Sequence, residues 1–263
     1  RKDIRLAATG SASPIIEDAS TDSGTGRWTV IKIPTLSFYE YCQLLQLDDM
    51  PLLPDHLKIT DIPKMENAEV ADLMARFEPL VKHFNRYLTI GGFPELALSD
   101  DDLYAQRMLR EDVVDKVIKR DVLTLFKVRS PLLMEKLFLY LCMNSTEIFS
   151  ATTAAKELDN ISPNTIESYV DALVKSNLIY MAYPIAVGSK SVLKGRPKIY
   201  IADAAIRNAV LMVDDVLSDE RELGLLIETT VYKHLVSFYQ GTGAQLGYYR
   251  KAKENQKEVD AVI

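Results

Sequence analysis

Cysteine and histidine are scarce in this sequence, whose 263 residues include two cysteines and three histidines. Cys42 and Cys142 lie far apart and do not make the disulfide framework of a small secreted domain, so a reducing compartment is the simplest interpretation. His56, His83 and His234 have no cysteine at ligand spacing, which argues against a structural zinc site.

Long apolar runs are also missing. No stretch approaches the roughly 18 apolar residues that cross a bilayer, and the N-terminus has no signal-peptide pattern. These absences predict a cytoplasmic protein without a membrane partner. The chain opens with Arg1 rather than Met, and strand-like apolar runs stand at both of its ends. We therefore expect it to be a piece of a longer protein.

Basic residues are outnumbered by acidic ones, 31 against 37, which gives a net charge of -6. A chain with this balance has no overall attraction to nucleic acid, so any DNA binding needs a local basic patch. The contents of 48% hydrophobic and 26% charged residues exclude disorder as the main state. The length favours two domains rather than one.

The first 34 residues predict β-structure around polar strand ends. Residues 4–9 predict a short buried strand, and the alternation in 28–33 predicts a second strand with Ile33 among its buried positions. Thr9 and Ser11 at a strand tip could orient an attacking water in a nucleotide-hydrolysing core, and Arg27 could stabilise phosphoryl charge. The alternative is an ordinary strand-to-loop turn with a solvated arginine.

The sequence contains no G-x-x-x-x-G-K-[ST] motif, the loop that cradles phosphates in P-loop proteins. This chain alone is therefore not expected to bind ATP tightly.

Helical patterns dominate the next region. Ser37 and Glu40 form a capping box for a helix that starts at Phe38 and ends near Leu47. Pro79 interrupts the helical spacing of 70–88 and predicts a break. Residues 48–67 predict a loop, Gly91 to Pro94 a turn, and 103–127 a long amphipathic helix.

Residues 131–203 predict a winged helix-turn-helix, which is three helices followed by a two-stranded wing. The predicted helices cover 132–143, 151–158 and 163–177, and the predicted strands cover 178–185 and 198–202. Four basic residues of the wing could contact DNA phosphates: Lys190, Lys194, Arg196 and Lys198. Glu167 and Asp171 on the third helix would be repelled by phosphates, so the alternative is a protein-interaction spacer.

Two carboxylates near the C-terminus could hold a metal ion. Glu228 lies on a predicted helix, 223–239, and Asp260 lies on the second of two predicted strands, 246–250 and 258–263. Oxygen ligands of this kind suit Mg²⁺, and metal-dependent phosphodiester cleavage usually also needs a lysine and a further acid. The alternative is a glutamate that caps its own helix and a solvated surface aspartate.

An ordered set of short motifs runs along the whole chain. They lie at 9–14 (TGSASP), 26–28 (GRW), 34–41 (PTLSFYEY), 91–95 (GGFPE), 119–121 (KRD), 198–203 (KIYIAD), 224–228 (GLLIE) and 258–260 (EVD). Together they resemble prokaryotic ATPases in which an archaeal-type AAA core is joined to an uncharacterised C-terminal domain like a restriction endonuclease. Each motif is weak alone, and their order makes the resemblance fairly specific.

The resemblance implies a P-loop core fragment whose Walker A and Walker B segments lie upstream. Thr9 and Ser11 would stand at the sensor strand end, and Arg27 would be a phosphate-sensing or finger arginine. Glu228 and Asp260 would occupy two acidic positions of a nuclease-like domain, whose closing Glu-x-Lys motif is not in this chain. ATP and Mg²⁺ would bind the full-length parent protein.

The predicted fold class is mainly α with α/β parts. The predicted domains are the end of the AAA core at 1–34, a helical lid or linker at 35–128, a winged helix at 129–203, and the start of a nuclease-like domain at 204–263. The favoured function is an ATPase that couples nucleotide state to DNA or to a protein partner, with self-association as another form of partnering. A non-catalytic DNA-binding or protein-interaction module is second, and a metal-dependent nuclease is third.

Overall fold

The structure, a computed structural model, describes residues 7, 9, 31–47, 50–51, 57, 59–126, 128–185, 195–213, 215–239, 241–250 and 258–263. Over these residues the protein is mainly helical with a small mixed sheet. This confirms the predicted class of mainly α with α/β parts. Within the described part of the chain, no helix has the length and apolar character needed to cross a membrane.

The first helix, α1, begins where the capping box predicts. It spans Phe38–Leu44, and the side chains and backbones of Ser37 and Glu40 cap each other reciprocally. The helix ends three residues before the predicted end at Leu47, because Gln46 adopts a left-handed conformation with φ of 53°.

The helical region after α1 is broken at Pro79, as predicted. Helix α2 spans Asn67–Phe77, a 3₁₀ turn covers Glu78–Leu80, and α3 spans Val81–Ile90. The predicted loop 48–67 contains a further 3₁₀ turn at Ile59–Lys64. The turn at Gly91 and Gly92 then leads into α4, Pro94–Ala97.

The predicted long helix is a continuous helical run with a change of winding in its middle. Helix α5 spans Asp102–Arg110, with the side chain of Asp101 as its N-cap. The run continues as a π-helical segment, Glu111–Val122, and ends as α6, Leu123–Leu125.

The three helices and two strands predicted for 131–203 all form, in the predicted order. Their bounds are α7 Pro131–Met143, α8 Ala151–Glu157, α9 Pro163–Lys175, β1 Ile179–Pro184 and β2 Lys198–Ile201. The two strands pair antiparallel, with Tyr180 opposite Tyr200. Serine side chains cap α7 and α8, because Ser130 and Ser150 accept hydrogen bonds from the first turns.

Helix α10, Ala204–Leu211, is absent from the sequence-based prediction and lies at the centre of the molecule. The side chain of Asp203 caps it, and its first seven residues are all buried. It packs against α3, α5, α7 and β2. The longest α-helix among the described residues, α11, Glu220–Tyr239, follows and also contacts α10.

The C-terminal strands complete a four-stranded sheet. Strands β3, Gly247–Arg250, and β4, Glu258–Val262, pair antiparallel. The strand order is β2-β1-β3-β4, and β1 meets β3 in parallel through two residue pairs, Tyr183 with Gly247 and Pro184 with Tyr248. The sheet therefore continues across the domain boundary predicted at 203, and the main apolar core runs from Tyr41 to Val210.

Two predictions for the first 34 residues are wrong where the structure describes them. Ile33 is 88% exposed rather than buried, because residues 31–34 join no strand in the described part of the chain. Ala7 and Thr9, predicted to lie on a buried strand, are exposed and outside regular structure. Ser11, Arg27, Lys190 and Lys194 lie outside the described residues.

Candidate functional site

Lys198, the first residue of β2, lies among three carboxylates. Its Nζ is 2.5 Å from Glu258, 2.6 Å from Asp260 and 3.5 Å from Glu228. The lysine side chain is 6% exposed, whereas the side chain of Asp260 is 51% exposed. We call Lys198, Tyr200, Glu228, Glu258 and Asp260 the Lys198 cluster, and it opens to solvent on its Asp260 side.

The sheet and α11 hold this cluster in register. Glu258 and Asp260 are two residues apart on β4 and share one face of it, since side chains alternate along a strand. Tyr200, two residues after Lys198 on β2, donates a hydrogen bond of 2.8 Å to Glu228 Oε1. Its ring stacks on Tyr232 of α11 at a centroid distance of 4.0 Å, and this contact ties α11 to the sheet beside Glu228.

Charge in the cluster is only partly balanced. Burial lowers the pKa of Lys198, but the hydrogen bonds that its ammonium donates to Asp260 and Glu258 outweigh burial, so the net pKa is raised and the amine stays charged. Burial raises the pKa of Glu228, and the contacts of Tyr200 and Lys198 only partly offset it. Three carboxylates face one ammonium, and Arg250 approaches Glu258 at 3.7 Å. The cluster is an acidic site with a lysine at its centre.

The structure thus brings together the two acids that the sequence analysis selected, Glu228 and Asp260. Across the described ranges, no group of three or more histidine, cysteine or acidic side chains could hold a metal ion. The ammonium of Lys198 stands between the carboxylate oxygens instead. Glu228 and Asp260 could supply oxygen ligands to Mg²⁺ only if Lys198 shared or vacated that position.

The structure corrects the assignment of Lys198 to a phosphate-binding wing. The residue is 5% exposed and is paired with carboxylates, so it is not available to a phosphate. Arg196 is exposed, and its carbonyl accepts a hydrogen bond from the Tyr248 hydroxyl at 2.7 Å. On α9, Asp171 is exposed and pairs with Lys175 at 2.8 Å.

A second polar cluster, the Asp203 cluster, consists of Asp203, Lys233, Thr35, Tyr87 and the backbone carbonyl of Leu36. Asp203 Oδ2 accepts hydrogen bonds from Lys233 Nζ at 2.7 Å and from Thr35 Oγ1 at 2.7 Å. It also accepts one from the Gly92 amide at 3.1 Å. The side chains of Asp203 and Lys233 are each 2% exposed, so this is a fully buried ion pair.

Lys233 uses all its donors in this cluster. Besides Asp203, its Nζ donates to the Leu36 carbonyl at 2.9 Å and to the Tyr87 hydroxyl at 2.7 Å. An ammonium has three donors, so none is left unsatisfied. Burial raises the pKa of Asp203, but Lys233, Thr35 and Gly92 outweigh burial, so the net pKa is below the ordinary 3.8.

Three of the motifs quoted in the sequence analysis meet at the Asp203 cluster. Thr35 and Leu36 belong to the 34–41 motif, Gly92 to the 91–95 motif, and Asp203 ends the 198–203 motif. The glycine pair permits the approach: Gly91 has φ of 77°, and a Cβ on Gly92 would overlap the Leu36 carbonyl and lie 2.8 Å from Lys233 Nζ. None of these residues had a predicted site role, and Lys233 was not singled out from the sequence.

A groove of about 1290 Å³ lies between α9, β1 and α11, and Thr35 of the Asp203 cluster is part of its lining. Its lining is more apolar than polar and includes Tyr232 and Tyr239 of α11. Glu167 and Asp171 stand on its α9 wall, and residues 32–35 form another wall. The segment that enters the Asp203 cluster therefore also borders this groove.

The fold and the two clusters define a mainly helical protein whose small mixed sheet and longest helix enclose buried lysine–carboxylate contacts. The profile described as "Domain of unknown function (DUF8612)" matches residues 81–217, which is more than half of the chain. The chain belongs to this family.

Three proteins similar to this chain are each described as uncharacterized. An uncharacterized protein of Haemophilus influenzae is 23% identical over 206 residues, which cover 77% of this chain and 44% of that protein. Two uncharacterized proteins of Methanocaldococcus jannaschii are 24% and 30% identical over 86% and 65% of this chain, and over 46% and 36% of their own lengths. The chain thus spans less than half of each. No solved structure matches.

Proposed function

We propose that this chain is the relay part of an AAA-type ATPase, which passes the nucleotide state of a preceding domain to DNA or to a protein partner. The ordered motifs that resemble such ATPases support the proposal. So does the length of the relatives, since a protein of their size has room for a nucleotide-binding domain besides the part matched here.

The observation that carries the proposal is the position of Thr35 and Leu36 in the Asp203 cluster. These residues directly follow the segment 1–34 that we assign to the ATPase core. Thr35 contacts Asp203, at the junction of β2 and α10, and Leu36 contacts Lys233 on α11. A displacement of the preceding segment would therefore act at once on the sheet and on the longest helix.

The chemistry of the cluster suits a relay. A buried ion pair is strong only in a narrow geometry, because its desolvation is repaid only when every partner is in place. Small shifts of Thr35 or Leu36 would therefore change the energy of the whole cluster steeply. ATP and Mg²⁺ would bind in the full-length parent protein, where Thr9, Ser11 and Arg27 would serve as sensor and finger residues.

The surface that receives the signal would be the basic residues next to β2 if the partner is DNA, or the groove if the partner is a protein. Arg196 is exposed there, and Lys190 and Lys194 precede it in the chain. DNA binding is measured at several salt concentrations, and the logarithm of the binding constant is plotted against the logarithm of the salt concentration. Neutralising these three residues should make the slope of this plot less steep by about 0.9 for each phosphate contact that is lost. An unmodified protein without any salt-dependent DNA binding would favour a protein partner at the groove.

Full-length protein tests the relay. Arg27→Ala should lower ATP turnover, and Thr35→Val should leave basal turnover intact while abolishing its response to DNA or partner. Thr153→Val, at an exposed position of α8 outside the groove lining, is the matched control and should keep the response. Absence of ATP turnover in the full-length protein, or an unchanged response in Thr35→Val, would reject the proposal.

A second candidate function is metal-dependent cleavage of nucleic acid. The convergence of Glu228 and Asp260 on Lys198 favours it, since two carboxylates and a lysine are elements of such sites. Full-length protein should then cleave plasmid with Mg²⁺ or Mn²⁺, and Asp260→Ala should not. Asp72→Ala, at a surface pair with Arg76, is the control. Equal cleavage by Asp260→Ala and the parent would exclude this function.

A further inference from the structure

His234, the residue after Lys233 on α11, holds the start of α1 through its ring. The backbone amide of Phe38, the first residue of α1, donates a hydrogen bond of 2.8 Å to His234 Nε2. The other ring nitrogen, Nδ1, lies 2.7 Å from the Thr230 carbonyl oxygen. A carbonyl can only accept, so Nδ1 must carry the proton and Nε2 must be bare. These two contacts define one neutral tautomer.

The charged and titratable groups around the ring come from several elements. Glu40 on α1 and Asp203 before α10 favour a proton on the ring, whereas Lys233 on α11 disfavours it. Tyr87 on α3 lies edge-on, with ring centroids 6.0 Å apart.

Among the described contacts, neither nearby carboxylate forms a hydrogen bond with the ring. Glu40 Oε2 accepts from the amide and the hydroxyl of Ser37, at 2.8 and 2.7 Å. Asp203 is engaged by Lys233, Thr35 and backbone amides.

We propose that His234 is an acid-operated latch, which holds α1 against α11 when the ring is neutral and releases α1 when Nε2 gains a proton. Protonation replaces the acceptor by a donor that faces the Phe38 amide. Two N–H groups then point at each other, and the amide loses its partner in a partly buried site. The inference depends only on these contacts and not on the proposed function.

The direction of the pH effect follows from the surroundings of the ring. Burial is the main cause that lowers the pKa of His234 below its ordinary 6.5. A folded state that disfavours the proton is at full stability above pH 6.5, and loses stability as the pH falls below that value. The latch is therefore closed at neutral pH and opens in acid. Release would free α1, whose Tyr41 and Cys42 are completely buried.

Labelling the full chain with ¹⁵N-histidine tests this directly, since it has three histidines and His234→Gln identifies the relevant signal. At pH 7.5 the signal should show the Nδ1–H tautomer, and it should titrate below pH 6.5. Hydrogen exchange in 36–44, corrected for intrinsic rates, should speed up on the order of tenfold between pH 7.5 and pH 5. His234→Gln offers a carbonyl acceptor that does not titrate, so its corrected exchange should stay flat. His83→Gln should respond like the parent.

An Nε2–H tautomer at pH 7.5, or titration at or above pH 6.5, would overturn the latch. So would the same acid response of segment 36–44 in the parent and in His234→Gln. If His234→Gln does not fold, the tautomer and titration of the parent still decide, with His56→Gln and His83→Gln identifying the remaining signal by elimination.

Discussion

Asp203 and Lys233 form an ion pair of 2.7 Å in which both side chains are 2% exposed. The pair lies where the loop after α3, the end of β2 and the middle of α11 come together. Breaking a buried pair by removal of one partner leaves the other charged and desolvated, and this costs more than the pair itself contributes. The stability of the molecule should therefore be unusually sensitive at this position.

Lys233→Met should lower the free energy of unfolding by about 3–5 kcal/mol, because Asp203 loses its cation while it remains buried. Urea denaturation followed by circular dichroism measures the change. Arg76→Met breaks an exposed pair with Asp72 at 2.9 Å and should cost less than about 1 kcal/mol.

The double variant Asp203→Asn with Lys233→Met should regain part of the loss, since no uncompensated charge remains. A loss for Lys233→Met no larger than that of Arg76→Met would contradict the importance of the buried pair.

Acid stability should depend on Thr35. Its hydroxyl helps to hold the pKa of Asp203 below 3.8. A carboxylate with a depressed pKa stabilises the fold fully above its unfolded pKa, and this stabilisation is lost as the pH falls through the folded value. Thr35→Val should raise the pH at which acid unfolding occurs, and should cost about 1.5–3 kcal/mol at neutral pH. The same acid midpoint in Thr35→Val and Thr153→Val would count against this role.

Two glycines should respond to alanine in opposite directions. Gly92→Ala places a methyl group on the Leu36 carbonyl and should cost at least about 1–3 kcal/mol, because the backbone must move. Gly224 lies within α11 with nothing near its added Cβ, so Gly224→Ala should stabilise by about 0.5–1 kcal/mol. Thermal denaturation of both variants gives the comparison, and a shift of the same sign in both would be inconsistent with this packing.

Glu228→Gln should leave the protein at least as stable as the parent at pH 7. Burial raises the pKa of Glu228 above 4.5, so the folded state carries a cost that grows as the pH rises from 4.5 to the folded value. Glutamine removes this cost and still accepts from Tyr200, while Lys198 keeps Glu258 and Asp260.

Asp260→Asn is the comparison for Glu228→Gln, because it weakens a 2.6 Å contact of Lys198 and should be the less stable variant. Guanidinium denaturation at pH 7 and pH 4.5 measures both. The gain in the free energy of unfolding of Glu228→Gln over the parent should be smaller at pH 4.5 than at pH 7. A larger gain at pH 4.5 would contradict a raised pKa for Glu228.

Much of the fold follows from local sequence rules. Ser37 and Glu40 predict the start of α1 because capping is a short-range interaction, and Pro79 predicts the break before α3 because proline removes a helical donor. The order of helices and strands in 131–203 follows in the same way from periodicity. The pairing of β1 with β3 does not, since a parallel contact between distant segments leaves no local pattern.

There is a physical reason why helix α10 was not predicted from the sequence. Its sequence, AAIRNAVL, is buried on nearly all sides, so it lacks the apolar and polar alternation that marks a helix with one solvent face. The burial of Lys233 was not predicted for a related reason, because a lysine on a helix is usually solvated. Leu226, which is completely buried and lies two helical turns earlier on the same face of α11, is the signal that could have revealed a buried position. The prediction for Ile33 was wrong in the opposite sense, because the residue was expected to be buried and is exposed. An apolar strand pattern does not show whether another element covers the apolar face.

The seam between β1 and β3 has fewer residue pairs than the strand pairings on either side of it. In the described part of the chain, two residue pairs join these strands, followed by a hydrogen bond from the Ile185 amide to the Tyr248 carbonyl. One of the pairs contains Pro184, which has no amide hydrogen to donate. Force applied to the C-terminal hairpin would separate the sheet there, while the four residue pairs that join β1 to β2 would hold. Lys198 lies on the far side of that seam from Glu258 and Asp260, so tearing it would pull the ammonium from its acids.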